Sequence, residues 1–66
     1  MVLDIDKVEL LAAGKCWTLP DVTKQAGLAN QTLYKVKRGE TKATARTIGK
    51  VARALGCTPA DIIRWE

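Results

Sequence analysis

Residues 18–38 read TLPDVTKQAGLANQTLYKVKR, and this stretch decides the fold. Thr18 opens a helix with Asp21 three residues on, a variant of the capping box in which Asp replaces the usual Glu. Pro20 falls in the first turn, where a missing N–H costs nothing. Val22, with Trp17 before it and Ala26 after it, supplies the inward face, and the helix is predicted to stop at Gly27. Glycine there has a physical cause, because a chain leaving a helix sharply needs positive φ. Leu28-Ala29 crosses the turn, and a further helix is expected from about Asn30 to Arg38. At about 100° per residue, Ala29, Thr32, Leu33 and Val36 share one side of it. Asn30, Gln31, Tyr34, Lys35 and Arg38 share the other, over an arc of about 140°. An ordinary surface helix is polar outside too, but it more often carries Glu–Lys pairs than two amides, a tyrosine and bases with no acid among them.

Upstream, Asp4-Ile5-Asp6 offers a cap and anions for a helix start, and Ile5, Val8, Leu11 and Ala12 recur at helical spacing, predicting a first helix over 5–15. Leu10 lies off that stripe, as a partly exposed leucine or as a contact with the C-terminal helix or a partner chain. Downstream, Gly39 caps the third helix and 39–42 form a loop. Thr44 caps a fourth helix with Ile48, Val51, Ala52 and Leu55 inward, and Gly56 ends it. Thr58-Pro59-Ala60-Asp61 repeats the start signal, predicting a short fifth helix that carries Ile62, Ile63 and Trp65. No strand pattern, repeat, linker or low-complexity segment is read. The expected class is therefore all-α, five short helices in one domain over 1–66.

Composition limits the function classes. The chain is 47% hydrophobic with no Phe, so its core must come from Leu, Ile, Val and Ala. Residues 1–16 set two bases against three acids, net −1, whereas 17–42 are net +3 and 43–66 net +2. The basic surplus starts where the deciding stretch starts, either as a solvated face or as the footprint of an anionic partner. Cys16 and Cys57 are expected to be free thiols, and with no His a metal site is not expected. No leader or long apolar run is read, so a cytoplasmic protein with no membrane partner is expected. Without His, paired carboxylates or a nucleophile constellation, no enzyme, cofactor or small-molecule substrate is expected.

The spacing of Trp17, Val22, Gly27, Leu28, Leu33, Val36 and Gly39, followed by Ala-Arg-Ala-Leu-Gly at 52–56 and Thr-Pro at 58–59, resembles the lambda repressor/Cro-like helix-turn-helix family. The resemblance covers Val8 to about Ile63 and implies five helices, the third reading the major groove of double-stranded DNA. Carried over by position, it implies that Asn30, Gln31, Tyr34 and Lys35 face base edges. Side-chain amides pair bidentately with adenine and Lys reaches guanine acceptors. Tyr34 has three readings, against a thymine methyl, on a phosphate, or capping the core. Phosphate contacts are implied for Thr18 with the start of helix two, and for Lys37, Arg38, Thr41, Lys42, Thr44 and Arg46, while Lys50 and Arg53 read as solvated surface.

Three positions depart from the family pattern. Thr23 stands where Ala is usual, Leu19 where Gln is frequent, and Lys37 where Glu is common. The resemblance further implies a homodimer on an operator of two half-sites about 34 Å apart, with Leu10, Ile63 and Trp65 as the candidate dimer surface. Trp65 reads equally well as folding back over a small core. The implied role is a small transcriptional repressor of a phage, plasmid or mobile element in the bacterial cytoplasm or nucleoid. The competing reading is a protein-interaction module on the same fold, antitoxin or antirepressor-like.

Overall fold

The computed structural model describes residues 2–29 and 31–65. Among the described residues four α-helices are present, α1 (Ile5–Ala13), α2 (Leu19–Gln25), α3 (Thr32–Lys37) and α4 (Ala45–Leu55). A 3-10 turn spans Pro59–Ile62, and strands β1 (Val2–Leu3) and β2 (Ile63–Arg64) pair antiparallel with Leu3 opposite Ile63.

Helix starts follow the caps read from sequence. Asp4 accepts the N–H groups of Asp6 and Lys7 at 3.1 and 3.3 Å, and Thr44 accepts that of Thr47 at 3.2 Å. At α2, Asp21 Oδ2 accepts both the N–H and the hydroxyl of Thr18, at 2.8 and 3.0 Å, and Asp61 repeats this on Thr58 at 3.1 Å each.

The helix ends share one device. A left-handed residue follows each helix, with its N–H and the next residue's N–H returning to the last turn. At α2 that residue is Gly27, φ 71°, and the bonds run from Gly27 N to Lys24 O and from Leu28 N to Thr23 O. Gly39 and Gly56 end α3 and α4 in the same way, but at α1 the left-handed residue is Cys16, φ 60°.

Two expectations fail at the C-terminus. The fifth helix is a single 3-10 turn, and the chain then leaves as β2, so the described residues form four α-helices and a strand pair where five helices and no strand were expected. Ile62 and Ile63 are β-branched and suit extended backbone. Leaving the helix buries both and gives the first residues main-chain partners, including Asp4 N to Ile62 O at 2.8 Å.

One core draws on every element. Ile48, Val51, Ala52 and Leu55 of α4 are all buried, as the stripe predicts. In α1 only Ile5, Val8 and Ala12 are buried, while Leu11 is partly exposed. Leu19 and Thr23 join Val22 inside, and Leu33 is the one fully buried residue of α3. Thr23 is tolerated because its hydroxyl donates to the Leu19 carbonyl at 3.1 Å, so no polar atom is stranded. Cys16 and Cys57 are both free thiols, and burial pushes the Cys57 thiol above its ordinary pKa. Among the described residues no helix is long and apolar enough to cross a membrane.

Candidate nucleic-acid interface

Leu33 anchors α3 in the core, with half-buried Val36 and Tyr34 packed at its margin. The opposite side carries Gln31, Lys35 and Arg38 at i, i+4 and i+7, all three exposed. Gln31 is the N-cap of α3, and its carbonyl accepts the Lys35 N–H at 2.9 Å. Tyr34 is half-buried, its ring against the core and one side open to a concavity shared with Thr18. Asn30, named with these as a base reader, lies outside the described residues.

The bases expected on phosphate fall into two groups. Lys37 Nζ lies 2.8 Å from Glu9 Oε1 of α1, and Arg38 pairs with Glu40, so both are already matched to acids. Glu9 raises the Lys37 pKa, first through the hydrogen bond and then through its charge. Lys42 and Arg46 are exposed and form no ion pair among the described residues, and the same holds for Lys35, expected on base edges. Thr41 is exposed beside Lys42, while Thr44 is exposed but engaged as the α4 cap. Lys50 and Arg53 are exposed farther along α4.

The start of α2 is less open to an anion than its sequence implied. The Thr18 hydroxyl donates to Asp21, whose carboxylate is held below the usual range by the Thr18 N–H, then by that hydroxyl, with Lys24 adding attraction. Leu19 is turned into the core, so its side chain takes no part in a contact outside it.

The candidate dimer residues separate as well. Leu10 is 74% exposed and Trp65 80%, so Trp65 does not fold back as a lid. Ile63 is only 6% exposed, because β2 turns it into the core opposite Leu3, and it has no surface to offer a partner. Sequence reasoning found Asp21 as the partner of Thr18 from their spacing but missed Glu9, which meets Lys37 only on folding.

The match to a family model extends over residues 8–66, and that family is the Cro/C1-type HTH DNA-binding domain. The chain belongs to it. Its helix-turn-helix is therefore α2, the Gly27 turn and α3, and DNA is the partner class of this Cro/C1-type domain. Searches of curated proteins and of solved structures found no significant match.

Proposed function

We propose that this Cro/C1-type domain binds double-stranded DNA sequence-specifically, laying α3 in the major groove, and acts as a small transcriptional repressor. The observation that carries the reading is the exposed stripe of Gln31, Lys35 and Arg38, with no acid in α3 itself and Leu33 fixing the helix from behind. Gln31 and Lys35 read base edges, joined by Asn30 and by the open side of Tyr34. Arg38, once it exchanges Glu40 for a phosphate, joins Lys42 and Arg46 on the backbone, with Thr41 as a hydroxyl contact and Thr18 and Thr44 joining once their hydroxyls turn from Asp21 and Thr47.

One copy carries a single α3, so reading a two-half-site operator takes two copies, with Leu10 and Trp65 as the apolar groups on offer. By resemblance the regulator belongs to a phage, plasmid or mobile element and works in the bacterial cytoplasm.

Selection from a random duplex library, followed by stoichiometry on the winning site, tests the reading. The winner should bind at least about 10³-fold tighter than random duplex and carry two chains. Lys42→Ala should weaken all duplexes alike and reduce the salt slope by about 0.9. Absence of any salt-dependent duplex binding would instead favour a protein-interaction module.

A further inference from the structure

Lys37 does not lie on the outward stripe of α3. At about 100° per residue it sits roughly 130° around the helix from Gln31, Lys35 and Arg38, on the flank that faces α1. There it reaches Glu9 at 2.8 Å, and the two side chains keep 50% and 40% of their exposure. Glu9 Oε1 itself is out of contact with water, so the lysine ammonium is its close polar partner.

The pair lines an open concavity of about 300 Å³ between α1, the start of α2 and α3, together with Trp17, Thr18 and Tyr34. Among the described residues of that lining, Lys37 is the one cation and Glu9 the one anion. A helix lying in the major groove has a phosphate backbone along each flank. The concavity lies on such a flank of α3, and its cation is already neutralised from within the chain.

We infer that Glu9 limits the affinity of this domain for duplex DNA by holding Lys37 as an internal counter-ion, in competition with a backbone phosphate at that concavity. The two acceptors are alike in charge, and the lysine stem is long and jointed enough to turn from one to the other. The side chains are half-exposed, so a phosphate can reach the lysine, but it displaces the pair against a carboxylate oxygen that water does not touch, and that raises the cost of the exchange. Glu9 thereby lowers binding to every sequence without altering which bases are read. The inference rests on the DNA-binding reading above.

The test compares wild type, Glu9→Gln, Lys37→Gln and the double variant on one random-sequence duplex over a salt series, with melting curves for each. Glu9→Gln should bind about three- to tenfold tighter than wild type. Its log K against log salt slope should steepen by about 0.9, the value for one added phosphate contact. The double variant should lose that gain. A Glu9→Gln chain with unchanged affinity and slope overturns the inference, as does a gain that persists when Lys37 is Gln, which would mean simple repulsion by Glu9. A Glu9→Gln chain unfolded at the assay temperature also overturns it, since the pair would then be a structural tie. A wild type that shows no duplex binding is a different result and removes the DNA reading itself.

Discussion

Cys16 occupies a position that the fold elsewhere gives to glycine. Its φ of 60° matches Gly27, Gly39 and Gly56 at 71°, 78° and 73°, and its N–H and that of Trp17 return to Ala13 and Ala12 as the corresponding groups do at the other helix ends. A side chain in this region crowds the neighbouring carbonyl, at a cost of about 1–2 kcal/mol. Glycine removes that crowding but adds freedom to the unfolded chain worth up to about 1 kcal/mol. Because Cys16 is exposed, no packing is lost. Cys16→Gly should therefore stabilise the domain by about 0.5–1 kcal/mol, a rise of a few degrees in melting temperature for a chain of this size. A melting temperature that stays level or falls would show that the left-handed end carries no strain. Lys37, expected on a phosphate, is the other residue to which folding adds something that spacing does not show, its pairing with Glu9.

Among the elements, α2 ties pH to stability through its first turn. The Thr18 N–H and hydroxyl hold the Asp21 pKa below 3.8, so the folded state favours the carboxylate. A depressed pKa adds stability that is complete above the unfolded value and is lost as pH falls through the lower folded value. Melting temperature should thus drop between about pH 5 and pH 3. Asp21→Asn should start lower at neutral pH and drop less across the same interval. Parallel curves would deny Asp21 that contribution. The helices themselves were legible because caps, left-handed ends and 3.6-residue stripes are local. All four inward residues of α4 and both Thr–Asp start signals stand as read. The strand pair was not legible, since two residues cannot show a period and Val2–Leu3 finds Ile63–Arg64 only across the whole chain. Burial of Leu3 and Leu19 was hidden for the same reason, because each faces a neighbour that sequence spacing does not supply.

On the scale of the molecule, the core and the exposed stripe of α3 divide the labour. Leu33 and the residues around it hold α3 in place, and Gln31, Lys35 and Arg38 stand clear of that task. The site was half legible: the outward arc of α3 was visible from its periodicity, but which bases are already matched depended on Glu9 and Glu40. The basic surplus of 17–42, net +3, is thus narrower in effect than its count: Lys37 and Arg38 are paired with acids, and among the described residues Lys24, Lys35 and Lys42 form no ion pair. The central claim is that α3 reads base edges, and Gln31→Ala on a selected site against a random duplex tests it most directly. Loss of one amide–base pair should reduce the ratio of specific to nonspecific affinity by about 1–3 kcal/mol while leaving random-duplex binding and its salt slope in place. An equal loss on both duplexes, or none on either, would contradict it.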